Sequence, residues 1–296
     1  MKHFSLIGLA AVLAVASCSG NGTGADVRNI QYAAAPGSVK MISYNVRNSG
    51  KDPYKNDGDN CWENRKQASL NMIEEQAPAV IGMQEVLPLQ MEYFKTGLPQ
   101  YGYIGVGRDD GKEAGEVMAI FYHKDALSLL DGGTFWLSET PDVPSKGWDA
   151  ACYRTATWAK FQDKASGKEF YYVNTHLDHI GEVARLESVK LIIERLSAWS
   201  GDNIPVFVGG DLNSPSENAI FVPLAENGYS LARTATPDTD NHGTFNAFGT
   251  APSSIVIDHI YFKGNVQPKT YKVLNGDYGV PFISDHYPVA FEFNLL

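Results

Sequence analysis

Cysteine is scarce in this chain: three in 296 residues, at positions 18, 61 and 152, none in a CxxC spacing. A zinc ribbon is thereby excluded. Positive charge is in deficit as well, with 24 Lys and Arg against 34 Asp and Glu, a net charge of −10 and no basic run. Tight, non-specific binding to long duplex nucleic acid relies on neutralising phosphates with Lys and Arg, so the charge balance argues against that partner. A local positive pocket, or a bound cation, is still able to hold a single phosphate. Apolar runs are short; the one from Phe4 to Ala16 is too brief to span a bilayer. No internal repeat, low-complexity block or mid-chain linker interrupts the rest. With 44% hydrophobic residues the chain can bury a large core, so one domain over residues 37–296 is the simplest organisation.

What is present begins with a leader. Lys2, the apolar run and then Val15-Ala-Ser-Cys18 read as a signal peptide over residues 1–17. Val-Ala-Ser-Cys resembles a bacterial lipobox, which implies lipidation of Cys18 and an exported chain anchored to a bacterial membrane, facing the periplasm or the outer membrane. Ordinary secretory cleavage nearby is the bland alternative. Residues 18–36 are small and polar, as expected of a flexible tether. Cys61 and Cys152 then remain in the mature body. They either pair in an oxidising compartment or stay as buried free thiols, and both readings are open.

Several short apolar runs look like buried strands, and most carry polar residues at one end. Val39–Tyr44 leads into Asn45, Ala79–Met83 into Gln84-Glu85, and Val117–Tyr122 into His123. Phe170–Val173 leads into Asn174-Thr-His-Leu-Asp-His179, Ile204–Val208 into Gly-Gly-Asp211-Leu-Asn213, and Ser254–Ile257 into Asp258-His259. A last run, Tyr287–Phe293, is instead preceded by Ser284-Asp285-His286. Two helices are expected. Trp62–Gln76 places Ala68, Met72 and Ile73 on one face and is closed by Pro78. Glu182–Trp199 carries a stripe of Val183, Leu186, Val189, Ile193 and Leu196 and ends at Gly201. Strand groups separated by helices predict a mixed α/β layer sandwich. Packing alone gives a core strand no reason to end repeatedly on polar groups, whereas a ligand site at one sheet edge does.

The residue types narrow the chemistry. Glu85 and Asn45 offer hard oxygen ligands suited to Mg²⁺ or Mn²⁺, although an Asn ending a strand is by itself commonly a turn residue. Asp211 and Asn213 share a side if the chain stays extended; an Asx-turn before Ser214-Pro215 is the competing reading. Asp258-His259 and Asp285-His286 are adjacent pairs whose side chains diverge on a strand. The economical arrangement is therefore crossed, with Asp258 orienting His286 as a general base. Asn174, His176 and Asp178 alternate, so an extended chain would set them along one wall. A rival zinc reading exists, because Asn-x-His-x-Asp-His is one residue short of the His-x-His-x-Asp-His signature of metallo-β-lactamase-like hydrolases. Asn174 is a poor zinc ligand beside imidazole, and seven His, one of them His3 in the leader, leave a five-His two-zinc site hard to fill.

Taken together, Ser-Tyr-Asn45-Val-Arg, Met-Gln-Glu85-Val, Phe-Tyr122-His-Lys, Val-Asn174-Thr-His176-Leu-Asp178-His, Gly-Gly-Asp211-Leu-Asn213-Ser, Ile-Asp258-His-Ile-Tyr and Ser-Asp285-His286-Tyr-Pro-Val resemble the endonuclease/exonuclease/phosphatase (DNase-I-like) superfamily. The resemblance runs in the family's order from about Val39 to Phe293. The stretch from Trp136 to Trp158 is further similar to exported bacterial members akin to the deadenylase-like branch. This resemblance implies a four-layer α-β-β-α sandwich of two mixed sheets flanked by helices, with Mg²⁺ (or Mn²⁺) as cofactor. It also implies roles. Glu85 and Asn45 would hold the cation, with Asp285 joining directly or through water. His286, oriented by Asp258, would activate the attacking water, Asp211 would align it, and Asn213 would bind near metal and phosphate. His176 would hydrogen-bond a phosphate oxygen. Asn174 would support His176 or the phosphate, Tyr122 would lie near the phosphate, and Arg154 would contact substrate or form only an ion pair. Asp178 is given no metal.

The function implied is hydrolysis of phosphoester bonds, with a monomeric enzyme, a phosphate-ester substrate and the membrane, through the lipid anchor, as partners. An inactive binding or scaffolding lipoprotein of the same fold is the alternative. Short oligonucleotides, sugar phosphates and phospholipid headgroups remain as substrates. Whether the enzyme would be a mono- or diesterase stays open.

Overall fold

The computed structural model describes residues 24–201 and 204–296; the leader and Cys18 lie outside the described residues. In chain order the elements are β1 (Ser38–Asn45), α1 (Trp62–Gln76), β2 (Val80–Val86), α2 (Pro88–Gly97), β3 (Tyr101–Ile104), β4 (Val117–His123), β5 (Leu127–Trp136) and β6 (Thr155–Asp163). They continue as β7 (Glu169–His176), α3 (Glu182–Ser200), β8 (Val206–Asp211), α4 (Val222–Glu226), β9 (Ser230–Leu231), α5 (Ala232–Ala235), β10 (Asp238–Thr239), β11 (Asp258–Lys263), β12 (Val266–Val273) and β13 (Val289–Leu295). A seven-stranded sheet, ordered β10-β12-β13-β1-β2-β4-β3, faces a six-stranded sheet, ordered β5-β6-β7-β8-β11-β9.

The near-continuous apolar runs have a simple cause: the central strands are buried on both faces. Side-chain alternation sorts each run between two cores. Met41, Val80, Tyr172 and Phe207 point into the space between the sheets, where they meet Phe291 and Phe293. Their neighbours Ile42, Ile81 and Met83 point the other way, under Trp62, Ile73 and Phe94 of α1 and α2. On the second sheet, Val173 and Val208 face Ile192, Ile193 and Leu196 of α3. These three cores define a four-layer α-β-β-α sandwich.

Glycine permits two close approaches, one between the sheets and one between neighbouring strands of the second sheet. A Cβ on Gly82 would lie 2.1 Å from the Tyr172 hydroxyl, and one on Gly210, whose φ is +149°, would lie 1.8 Å from the Thr175 carbonyl oxygen.

Several sequence expectations are corrected. Helix α2 was not anticipated; Pro88 sits in its first turn, where a missing N–H costs nothing. The run Ser254–Ile257 is not a strand: β11 begins where it ends, so Asp258 opens its strand and reaches the site edge because β11 runs antiparallel to β8. On α3 the buried face is Ala184, Ser188, Ile192 and Leu196 with Arg185, Val189 and Ile193, while Val183 is exposed. The four-residue spacing of the small residues at 184 and 188 sets that face against the sheet. Within the segment expected as a tether, residues 28 and 30 contact the domain. Arg28 pairs with Glu74 at 2.8 Å and donates its backbone N–H to Gly97, and the buried Ile30 presents its carbonyl 3.0 Å from His123 Nε2. Cys61 and Cys152 are free thiols.

Candidate active site

The strand directions bring the polar ends together. β1 and β2 are parallel, as are β7 and β8, and each pair finishes at the same edge of its sheet. Within the second sheet His176 is in register with Asp211, and Asp211 with Asp258 across the antiparallel β8–β11 pair. Asp285 and His286 enter from the segment before β13, which runs antiparallel to β1. The edge encloses a cavity of about 530 Å³ between the two sheets, lined by Glu85, His176, Asp211, Asn213, Asp285 and His286.

Backbone strain aims some of these groups. Alternation along β2 would send Glu85 to the face opposite Gln84. The β2–β4 register shifts between Met83 and Val86, and a left-handed φ of 63° turns Glu85 into the cavity. Arg47 (φ 54°) and Asn213 (φ 49°), both at the cavity wall, share that conformation. Arg65, buried on α1, braces the adjoining loops: its guanidinium donates to the carbonyls of Val46, Arg47 and Ile283, and Nε to that of Asn60. Ser284 Oγ donates to the Asn45 carbonyl at 2.7 Å, tying the His286 segment to β1.

Asp258 Oδ2 lies 2.9 Å from His286 Nδ1, and Asp211 Oδ2 lies 3.6 Å from His286 Nε2. Burial alone would lower the His286 pKa, but the Asp258 and Asp211 carboxylates outweigh it and raise it to about 10. Burial raises Asp211, with the neighbouring Asp258 adding to the effect and His286 opposing it. Burial also raises Asp285. Glu85 goes the other way: hydrogen bonds from Asn48 and Asn45 overcome the penalty of burial and keep it ionised. His176 Nε2 stands 3.4 Å from Asp211 Oδ2, and burial followed by Arg154 and His286 holds its imidazole neutral, well below the usual value.

The donor set fits a hard divalent cation. Asn45 Nδ2 bridges Glu85 Oε1 and Asp211 Oδ2, each at 3.0 Å, so two carboxylates approach one amide. Four carboxylates (Glu85, Asp211, Asp258 and Asp285) are gathered around the cations Arg47 and His286, an excess of negative charge built from oxygen donors. Asp211, Asp258 and His286 also offer ligand atoms within 4.8 Å of one another. Asp258 Oδ2 faces His286 Nδ1 at 2.9 Å and Asp211 Oδ2 lies 3.6 Å from His286 Nε2, so these three also form a proton-handling group.

Two residues expected to support or lie near the phosphate, Asn174 and Tyr122, are not among those lining the cavity. Asn174 is fully buried between the sheets: Nδ2 donates to the carbonyls of Met83 and Ala119, and Oδ1 accepts from Gln84 Nε2 at 2.6 Å. Its amide is used up in joining the sheets. Tyr122 pairs with Val80 at the beginning of β2, whereas Glu85 lies towards its other end, and its ring packs on Phe161 at 5.3 Å between centroids. Tyr122 is half-buried and packs against the core between the sheets. Of the alternating row 174, 176 and 178, only His176 lines the cavity. Asp178 lies past the strand end, accepting the N–H groups of Ile180 and Gly181 and pairing with Arg154 at 3.3 Å. Arg154 does line the cavity. Given no role by the sequence reading were Arg47, Asn48, Arg108, Glu116 and His179; Arg108 and Glu116 come from the loop before β4, whereas Arg47, Asn48 and His179 follow the ends of β1 and β7.

The chain belongs to the endonuclease/exonuclease/phosphatase family, whose model matches residues 42–286. It is similar to a solved family member from Bacteroides thetaiotaomicron, 36% identical with a TM-score of 0.82 over 88% of this chain and 99% of that one. A mannosyl-6-phosphatase from the same species is 38% identical, with a TM-score of 0.80 over 86% and 99% of the two chains. An uncharacterised protein of Acanthamoeba polyphaga mimivirus is 28% identical over 248 residues, 78% of this chain and 92% of the relative.

Proposed function

We propose that this protein hydrolyses small phosphate monoesters by attack of an activated water, with Mg²⁺ or Mn²⁺ held at Glu85, Asn45 and Asp285. The observation that carries the reading is the Asp258–His286 pair standing in the same cavity as Glu85, with Asp211 hydrogen-bonded to Asn45 and close to His286. A phosphoryl group between these two sides meets a base on one and a cation site on the other, as in-line displacement requires.

When bound, the cation supplies charge neutralisation at the phosphate oxygens and at the departing alkoxide. The chain's own residues do the rest. Asp258 fixes the imidazole so that Nε2 of His286 faces Asp211 and the cavity. Asp211, raised to about 7 by burial, accepts a hydrogen bond from the attacking water and takes up its proton, while the His286 imidazolium, held by Asp258, positions that water. Neutral His176 has one ring N–H with which to stabilise charge gathering on a phosphate oxygen. Asn213, fixed by its own Nδ2 bond to the Leu177 carbonyl, forms the wall beside it. A cavity of about 530 Å³ suits a small ester better than a long duplex, in keeping with the charge of −10. The 38% identity to the named mannosyl-6-phosphatase supports a monoester.

The test is phosphate release from a panel of monoesters, diesters and oligonucleotides in Mg²⁺, Mn²⁺ or EDTA. Metal-dependent turnover of monoesters is expected; full turnover in EDTA, or preferential cleavage of oligonucleotides, would refute the proposal. Export and lipidation at Cys18 belong to the same proposal. Labelling of cells with a radioactive fatty acid should mark the wild-type protein and leave Cys18→Ser unmarked.

A further inference from the structure

Hydrolysis as derived above leaves one wall of the cavity unused, and that wall is unusually rich in buried charge. Arg108 and Glu116 form an ion pair with side chains only 16% and 13% exposed. Beside it, Arg154 and Asp178 pair at 5% and 1% exposure. Removing four charges from water costs several kcal/mol each before pairing, and apolar residues would fill a purely structural wall at less cost. The wall is also rigid. The Arg108 backbone bonds Glu116 across its loop, its carbonyl accepts from Trp136 Nε1 at 2.7 Å, and Arg154 Nη2 stands 3.0 Å from His179 Nδ1.

We infer that this wall is a subsite for the alcohol portion of the ester, and that Arg108 and Glu116 select an alcohol bearing further hydroxyl groups, a phosphorylated sugar or polyol. The inference rests on the monoester reading above. Glu116 matches Arg108 within the wall and Asp178 matches Arg154 from behind it, so the wall presents donors beside an acceptor and its guanidinium charges are balanced. That pattern complements hydroxyls, which both donate and accept, and it does not complement a second phosphate, for which unpaired guanidinium groups would be needed. Glu116 directly precedes β4 at Val117, which pairs with Val86 next to Glu85, so the wall adjoins the cation site where the ester oxygen departs. A nucleobase lacks a platform here: among the described residues lining the cavity the only aromatic ring other than histidine is Phe245, which lies edge-on to His286.

The test compares the full chain with Glu116→Gln and Arg108→Lys in Mg²⁺, on hexose 6-phosphates and on phenyl phosphate, which has no hydroxyl group to read. The wild type is expected to favour a hexose phosphate at least tenfold in kcat/KM. Both variants should lower that ratio tenfold or more, mainly through a higher KM for the sugar phosphate, since a site built around hydroxyls loses most when their partners are removed. An unchanged ratio in folded variants would overturn the inference, as would a wild-type preference for phenyl phosphate or nucleotides. Calorimetric binding of hexose 6-phosphate separates the two readings. Binding that Glu116→Gln abolishes, in a wild-type protein that releases no phosphate from any ester, would retain the subsite and remove the hydrolase. No binding by the wild type would remove the subsite itself.

Discussion

Asp258 Oδ2 and His286 Nδ1 stand 2.9 Å apart although 28 residues separate them in the chain. Each has a different sequence neighbour, His259 for Asp258 and Asp285 for His286, and neither neighbour takes its place. His259 is buried against the Ser214 carbonyl, and Asp285 lies near Arg47. Replacing His286 with Ala should therefore lower kcat by about 10² to 10⁴ with a smaller change in KM. Asp258→Asn should lower kcat in the same direction, because it removes the carboxylate that orients and charges the imidazole. Steady-state kinetics on variants whose circular dichroism is unchanged check both.

Metal should be visible without turnover. A cation that binds only the folded chain raises its melting temperature as its concentration rises above Kd. Mg²⁺ or Mn²⁺ is expected to produce such a shift, EDTA to reverse it, and Glu85→Gln to move the half-maximal concentration upward by at least tenfold. A shift of equal size and midpoint in Glu85→Gln would remove Glu85 from the cation site.

Asn174 separates a structural from a substrate-binding role. Asn174→Ala removes the amide that donates to the Met83 and Ala119 carbonyls between the sheets, whereas Gln84 Nε2 keeps Ser43 Oγ and the Gly82 carbonyl. A loss of about 2–4 kcal/mol is expected in denaturant unfolding, from buried groups left unsatisfied. KM of the folded fraction should stay within about twofold of wild type. A large rise in KM with unchanged stability would return Asn174 to the phosphate.

Asp178 gives a pH dependence with a definite sign. Burial would raise its pKa, but the backbone N–H groups of Gly181, Ala151 and Ile180, with Arg154, hold it well below the ordinary 3.8. A folded-state pKa below the unfolded value contributes stability that is complete above the unfolded value and is lost as pH falls towards the folded one. Wild type should thus lose stability below about pH 4 more steeply than Asp178→Asn, which carries no such proton uptake. Urea midpoints between pH 3 and pH 7 measure the difference, and parallel curves would exclude Asp178 as a contributor.

How much was legible beforehand depends on the kind of signal. Strands β1, β2, β4, β7, β8 and β13 were readable because burial on both faces demands uninterrupted apolar residues, and polar groups at their ends stood out against them. The crossed Asp258–His286 pair followed from the divergence of adjacent side chains on a strand. Asn174 misled because a polar side chain reads the same whether its partner is a ligand or a carbonyl of the facing sheet, and Tyr122 because its ring serves packing against Phe161. Arg65, Arg108 and Glu116 carried no local pattern at all, since their partners are backbone atoms or loop residues brought near by the fold.

By itself, the order of residues determined which strands form, which faces they bury and which polar groups stand at their ends, because alternation and apolar run length are local properties. The tertiary structure alone decided which of those groups share a cavity. Strand direction, the bulge that turns Glu85 and the spacing between the sheets place them, and those are set by contacts between segments far apart in the chain.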